Sequence, residues 1–179
     1  MFVYINGGDI SLRILGIDPG YAIVGYGVLD YNSGHFDVVG FGAITTGADM
    51  DFSKRLEAIY NDMCQIIDMY KPDEMSIEKL FFNTNQKTVI DVAQARGVTL
   101  LPAIQRGIPV YEYTPLQVKN AIVGYGRAEK KQVQEMTKTI LKLKDIIKPD
   151  DTADAVAIAV THGYSVTARK LTGKQGDKL

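Results

Sequence analysis

The order of the predicted strands and helices constrains the fold of this chain more than any other feature of its sequence. Three strand signals come first, separated by short turns, at residues 13–18, 23–30 and 35–45. The turn sequences DPG (18–20) and NSG (32–34) join them. Short connections of this kind predict an antiparallel meander at the start of the fold.

After the meander, helices and strands alternate along the chain. Apolar residues at helical spacing predict helices at 52–70, 84–105, 115–122, 129–142 and 151–169. Short apolar runs predict two more strands at 74–79 and 108–113. The predicted fold class is therefore α/β, a five-stranded mixed sheet flanked by helices on both faces. Pro102 falls inside the second helix, where we expect a kink or an early end.

The length of 179 residues fits one domain. We assign this domain to residues 12–170, with an N-terminal leader at 1–11 and a Gly- and Lys-rich tail at 171–179, both expected to be mobile. Cys64 is the one cysteine of the sequence, so no intrachain disulfide can form and a reducing, cytoplasmic location is expected. Because no apolar run reaches the roughly 18–20 residues of a membrane span, no membrane partner is expected.

The net charge of −1 conceals two halves of opposite charge. Residues 1–78 contain 4 Lys and Arg against 12 Asp and Glu, whereas residues 79–179 contain 16 against 9. This asymmetry is typical of chains that bind nucleic acid or a membrane surface. Chance clustering on a solvated surface explains it equally well, so charge alone does not decide the function.

Four carboxylates stand where a sheet protein builds functional sites. Asp18 ends the first strand, Glu78 ends the fourth, and Asp151 and Asp154 open the final helix. Each has a structural explanation, as a turn residue, a strand-edge residue or a helix N-cap. Taken together, carboxylates at strand ends and on one helix face repel one another and favour a cation between them. Oxygen ligands suit Mg²⁺ or Mn²⁺, and a pair of such ions can catalyse phosphoryl displacement.

Other common catalytic residue types form no comparable pattern in the sequence. His35 and His162 are far apart, and the spacings of zinc ligands do not occur. Cys64 occupies an apolar position of the first helix, which favours packing over nucleophilic chemistry. The sequence contains neither a Walker A motif nor GxSxG.

The ordered set of motifs resembles the RuvC family of crossover (Holliday) junction endodeoxyribonucleases. The matching segments are ILGIDPG (14–20), GYGV (25–28), IEKLFFNTN (77–85), QARG (94–97), QVKNAIVGYGRAEKKQV (117–133) and DTADAVAIAVTHG (151–163). The resemblance implies a ribonuclease H-like fold and a homodimer that cuts two opposing strands of a four-way DNA junction during recombination and repair. It also implies two Mg²⁺ ions per active site, with Mn²⁺ able to substitute, and the branch-migration proteins RuvA and RuvB as partners.

The resemblance assigns the metal ions to the four carboxylates. Asp18 would bridge both ions, Glu78 would hold one, and Asp151 and Asp154 would hold the other. In the family, the position of Asp151 can also be a histidine. These four residues are the predicted catalytic and metal-binding set.

A DNA-binding surface is also implied by the resemblance. Phe81 matches an aromatic residue that stacks on a base, with core packing as the alternative for Phe81 or Phe82. Lys119 and Lys130 match lysines that face phosphates close to the cut. Further residues of the matching segments extend this surface: Asn85, Arg96, Arg127 and Lys131. Lys138, which follows these segments on the same predicted helix, would extend it too. A solvated helix face is the alternative for the basic residues, and Arg96 fits a dimer interface equally well.

The second predicted helix is apolar nearly all round. Eleven of the sixteen residues between Val89 and Ile104 are Val, Ile, Ala, Gly or Leu. Such a helix is buried on more than one side, either within its own domain or against a second copy of the chain. We expect this helix near the twofold axis of the homodimer.

Three other functions are compatible with parts of the pattern. A ribonuclease H-like enzyme that acts on RNA or on simple branched DNA would need the same carboxylates. A non-catalytic junction-binding protein would need the basic surface alone. The sequence GIDPGY (16–21) faintly resembles the phosphate loop of sugar-kinase-like proteins, although 179 residues are too few for the second domain of that class.

Overall fold

The computed structural model describes residues 11–80, 89–172 and 178–179. Its strands are β1 (Leu12–Asp18), β2 (Ile23–Asn32), β3 (His35–Thr45), β4 (Glu74–Glu78) and β5 (Val110–Tyr113). Its helices are α1 (Phe52–Tyr70), α2 (Val89–Gln105), α3 (Pro115–Val123), α4 (Lys130–Ile140) and α5 (Asp150–Thr172).

The strands form one five-stranded sheet in the order β3-β2-β1-β4-β5. Strands β1, β2 and β3 pair antiparallel, which confirms the predicted meander. Strand β4 lies parallel to β1, and β5 lies parallel to β4. The sheet is therefore mixed, as predicted, and β1 and β4 are parallel neighbours that end at the same edge.

Helices cover both faces of the sheet and divide the apolar core into two clusters. Ile14 and Leu15 are adjacent in β1, are both fully buried, and belong to opposite clusters because successive strand residues point to opposite faces. The Ile14 cluster contains residues of α3, α4 and α5. The Leu15 cluster contains residues of α1 and α2. This arrangement confirms the predicted helices on both faces.

Helix α5 lies unusually close to the sheet because two glycines face it. A Cβ atom on Gly16 of β1 would lie 2.2 Å from the carbonyl oxygen of Ala155. A Cβ atom on Gly27 of β2 would lie 2.4 Å from a methyl carbon of Val156. Since non-bonded carbon and oxygen atoms do not approach this closely, a larger residue at either position would push α5 away.

Several boundaries differ from those predicted. Helix α5 begins at Asp150, one residue early, so Asp151 lies within the helix and is not its N-cap. Strand β5 begins two residues later than expected, at Val110. Helix α2 does not end early at Pro102 but runs on to Gln105. Pro102 is buried, so packing offsets the missing backbone hydrogen bond. The predicted start of this helix near Thr84 lies outside the described residues.

The two ends of the chain were predicted to lie outside the domain. Residues 1–10 of the leader are outside the described residues. Helix α5 continues to Thr172, beyond the predicted domain end at 170. The last residue contacts the sheet, because the backbone N–H of Leu179 donates to the carbonyl oxygen of Val110 at 3.0 Å. None of the helices in the described part of the chain is long and apolar enough to span a membrane.

Candidate active site

The sheet places two of the predicted carboxylates side by side. Asp18 is the last residue of β1 and Glu78 is the last residue of β4. The two strands are parallel neighbours, and Ile17 pairs with Ile77 immediately before these carboxylates. Both side chains therefore project from the same edge of the sheet, where α/β proteins place their ligands.

The other two carboxylates arrive on the first turns of α5. Asp151 and Asp154 are three residues apart, so they share one face of the helix. Gly25 of β2, which pairs with Asp18, lies directly beneath this turn. A Cβ atom on Gly25 would lie 2.0 Å from the carbonyl oxygen of Asp151. The glycine thus allows the start of α5 to approach the end of β1, which brings all four carboxylates together.

The carboxylates oppose each other's ionisation. Burial and the nearby charge of Glu78 raise the pKa of Asp18 to about 8, and Asp154 and Asp151 act in the same direction. Burial, with a contribution from Asp154, also raises the pKa of Glu78. Burial raises the pKa of Asp154 despite the opposing effect of Lys130. Burial and mutual repulsion thus both disfavour the charged forms of these three carboxyls.

A lysine is the cation that lies against this cluster. The ammonium of Lys130, the first residue of α4, lies 2.8 Å from Asp154 Oδ2. Lys130, Lys119, Glu78 and Asp154 line one cavity of about 170 Å³. Its remaining walls are apolar and come from Pro115, Val118, Val133 and Ile158. The cavity therefore presents two carboxylates and two ammonium groups in an otherwise apolar surrounding.

The donor set fits divalent metal ions, but its side chains must rearrange to bind them. All four predicted ligands are carboxylates, which suit Mg²⁺ and Mn²⁺, and nearby carboxylates add to the effect of burial in raising the pKa values of Asp18 and Glu78. Among residues 11–80, 89–172 and 178–179, no group of three His, Cys, Asp or Glu side chains could hold a metal ion as it stands. The salt bridge from Lys130 occupies Asp154. A metal ion on Asp154 Oδ2 would compete with this salt bridge.

The predicted DNA-binding residues fall into different environments. Lys119 and Lys130 line the cavity beside the carboxylates. Arg127 and Lys131 are exposed on the adjacent segment around the start of α4. Arg96 instead forms a salt bridge with Glu112 of β5, and its side chain is 16% exposed. The remaining predicted residues, Phe81, Phe82 and Asn85, lie outside the described residues.

Two residues that support the site were not predicted from the sequence. Gly25 was recognised within GYGV but not as the contact for α5, although glycines at alternate strand positions indicate close approach of another backbone. Asp150 forms part of a polar cluster with Lys148 and Gln134 beside Lys130. No sequence signal distinguishes it, because Asp150 resembles an ordinary N-terminal helix residue.

Comparison with known proteins identifies the family. The family profile described as "Crossover junction endodeoxyribonuclease RuvC" matches residues 14–162. The chain belongs to the RuvC family of crossover junction endodeoxyribonucleases. RuvC of Clostridioides difficile is 53% identical over 165 residues, which cover 92% of this chain and 98% of that protein. RuvC of Brevibacillus brevis is 56% identical over 151 residues, covering 84% and 91%.

Solved structures agree with this membership. Thermus thermophilus RuvC in complex with a Holliday junction substrate is 31% identical, with a TM-score of 0.84, and the match covers 94% of this chain and 99% of that one. The yeast mitochondrial Holliday junction resolvase Ydc2 shares the fold at 14% identity and a TM-score of 0.65. As a RuvC protein, the chain is a ribonuclease H-like nuclease that resolves Holliday junctions in recombination and repair.

Proposed function

We propose that Asp18, Glu78, Asp151 and Asp154 bind two Mg²⁺ ions and hydrolyse phosphodiester bonds at the crossover of a four-way DNA junction. The observation that carries this assignment is the placement of Asp18 and Glu78 at the ends of the parallel neighbours β1 and β4, with Asp151 and Asp154 close enough on the first turns of α5 for the charges to repel one another. A fold tolerates such repulsion where function requires it. Mn²⁺ should substitute for Mg²⁺, because both prefer oxygen ligands.

The residues around the cluster have distinct tasks in this reaction. When bound, the metal ions polarise the phosphate and activate a water molecule. Lys119 and Lys130 line the same cavity and would contact the phosphate oxygens on either side of the reacting bond. Val118, Val133 and Ile158 form the apolar wall, which limits the access of bulk water and strengthens electrostatic interactions inside.

Binding of the junction would extend along the basic surface beside the cavity. Arg127 and Lys131 are exposed there and can contact phosphates further from the cut. Lys138, about two helical turns along α4, is half-buried and would contribute less. Phe81 and Asn85 follow shortly after Glu78 in the sequence, so we keep them as predicted DNA contacts. Arg96 forms a salt bridge with Glu112, so it would act mainly by holding α2 against β5.

A homodimer would present two such sites to the two strands that are cut. Helix α2 exposes large apolar side chains at heptad-like spacing: Ile90 is 70% exposed, Leu101 43% and Ile104 60%. An apolar stripe of this kind is a typical helix–helix contact, and the twofold symmetry of a dimer matches paired incision. We therefore place α2 in the dimer interface. The partners RuvA and RuvB stay a prediction from the family.

Cleavage of a synthetic four-way junction in Mg²⁺ tests the metal-site assignment. The native protein should make paired, symmetric incisions that stop when EDTA is added. The Asp18→Asn variant should lose about 10³-fold or more of this activity, because it removes the ligand nearest the centre of the cluster. Asp37→Asn, at the far end of β3, is a matched control and should cut normally.

Two results would contradict the proposal. Undiminished incision by the Asp18→Asn variant would show that the carboxylates take no part in hydrolysis. Faster cleavage of an RNA–DNA hybrid or a simple flap than of the junction would instead favour another ribonuclease H-like activity. Light scattering tests the dimer separately: Ile104→Glu should convert a dimer into a monomer, and a native protein that is monomeric at micromolar concentration would contradict the interface.

A further inference from the structure

Lys130 lies between two carboxylates of α5, only one of which is a proposed metal ligand. Its ammonium lies 2.8 Å from Asp154 Oδ2 and 3.6 Å from Asp150 Oδ2. The first contact is a direct salt bridge, and the second lies slightly beyond hydrogen-bonding distance. A movement of less than about 1 Å would thus exchange the closer partner for the other.

Asp150 is held in an orientation that serves this exchange. Its Oδ1 accepts a hydrogen bond from Gln134 Nε2 at 3.1 Å and another from Lys148 Nζ at 2.8 Å. The second oxygen, Oδ2, is the atom that faces Lys130. Gln134 lies one turn after Lys130 on α4, so both side chains reach the start of α5 from the same helix face.

Asp150 and Asp154 differ in their proposed roles and in their exposure. Asp154 is a proposed metal ligand, and a divalent ion on it would repel the lysine ammonium. Asp150 is more exposed than Asp154, at 47% against 31% of the side chain, and lies outside the cavity lining. Asp150 can therefore pair with Lys130 when a metal ion occupies Asp154.

We propose that Asp150 is a positioning residue, which receives Lys130 when metal binds Asp154 and keeps the lysine beside the reacting phosphate. This inference rests on the proposed metal site. Without Asp150, Lys130 would have Asp154 as its single close partner in this cluster and would compete harder with the metal for it. Substitution of Asp150 should therefore weaken metal binding through Lys130 rather than by loss of charge alone.

A double-mutant cycle on Mn²⁺ affinity tests this coupling. The dissociation constant is measured by calorimetry with MnCl₂, in the absence of DNA, for the native protein, Asp150→Asn, Lys130→Met and the double variant. Asp150→Asn should weaken Mn²⁺ binding about fivefold in the native background and by less than about twofold in the Lys130→Met background. Asp150→Glu should restore the native affinity, because it keeps a carboxylate for Lys130. Lys144→Met, an exposed lysine elsewhere, is the control for the loss of one positive charge.

Each outcome distinguishes the inference from the proposed function. Equal weakening by Asp150→Asn in both backgrounds would show a simple effect of charge and would overturn the positioning role. No weakening in the native background would overturn it as well. If the native protein itself binds no Mn²⁺, or if Asp18→Asn leaves binding unchanged, the proposed metal site fails and this inference fails with it. Thermal unfolding of every variant confirms that the affinities refer to folded protein.

Discussion

Strand β4 carries one glutamate at each end, and the two have opposite environments. Glu74, at the start, contacts His162 Nε2 at 2.6 Å and Arg169 Nη2 at 3.4 Å. These partners outweigh the effect of burial and lower the pKa of Glu74. Glu78, at the end, lies beside Asp18 and Asp154, and burial together with Asp154 raises its pKa. One strand thus holds a carboxylate with hydrogen-bond donors as partners and another that faces carboxylates.

The difference separates a structural carboxylate, Glu74, from a proposed metal ligand, Glu78. His162 is completely buried, and a neutral imidazole can accept from the Tyr113 hydroxyl at Nδ1 and donate from Nε2 to Glu74. That network satisfies its members and ties α5 to β4 and β5. Near the start of α5, the carboxylates instead repel one another, which costs stability.

The largest expected difference between the two glutamates is in catalysis. Glu78→Gln should reduce junction cleavage by about 10²-fold or more, because it removes a proposed metal ligand. Glu74→Gln is the matched substitution on the same strand and should stay within a few-fold of the native rate. Cleavage rates of both variants at saturating Mg²⁺ test this prediction. Similar losses in both variants would mean that Glu78 acts only through the fold.

A second large effect is expected at Gly25, which allows α5 to reach the site. In Gly25→Ala the new Cβ would lie 2.0 Å from the carbonyl oxygen of Asp151, so the start of α5 must move. We expect a loss of about 1–3 kcal/mol in the free energy of unfolding and a loss of cleavage larger than that instability explains. Chemical denaturation and cleavage assays measure the two effects. A fully active, stable variant would refute the role of this contact.

In unfolding experiments the two glutamates should have effects of opposite sign. Glu74→Gln should lower the free energy of unfolding by about 1–3 kcal/mol, because it leaves buried His162 without its carboxylate. Glu78→Gln should raise the free energy of unfolding by about 0.5–2 kcal/mol, because it removes one repelling charge. Urea denaturation of both variants in EDTA tests this. Destabilisation of equal size in both would contradict the comparison.

The smallest expected effect is a difference in pH dependence. Because the pKa of Asp18 is about 8 in the folded protein and near 4 when unfolded, the folded state binds more protons between these values. Asp18 therefore costs more stability as the pH rises toward 8. The gain from Asp18→Asn in EDTA should be larger at pH 8 than at pH 5. At the other network, burial lowers the pKa of His162, so stability should fall as the pH drops below about 6.5.

The sequence predicted most of the fold because local signals agreed with one another. The turns at 18–20 and 32–34 predicted the meander, and the apolar spacing predicted a helix from residue 115, where α3 begins and Thr114 caps it. At Pro102 a kink or an early end was expected, and the early end does not occur, because propensity does not include the tertiary packing that lets α2 run on to Gln105.

The candidate site was predictable in composition but not in its contacts. Strand ends and the start of α5 indicated four carboxylates, and the structure brings them together. The partners of Lys130 and Arg96 depend on how α4 meets α5 and how α2 meets β5, and linear spacing does not encode such distances. The assignments at Phe81 and Asn85 stay predictions.

The central claim is that Glu78 and the carboxylates beside it bind a divalent cation, whereas Glu74 does not. Thermal unfolding with and without Mg²⁺ tests it most directly, at about 10 mM, which suffices for a dissociation constant of about 1 mM. Mg²⁺ should raise the Tm of the native protein and of Glu74→Gln by several degrees and leave that of Asp18→Asn unchanged. An equal rise in Asp18→Asn, or no rise in the native protein, would contradict the claim.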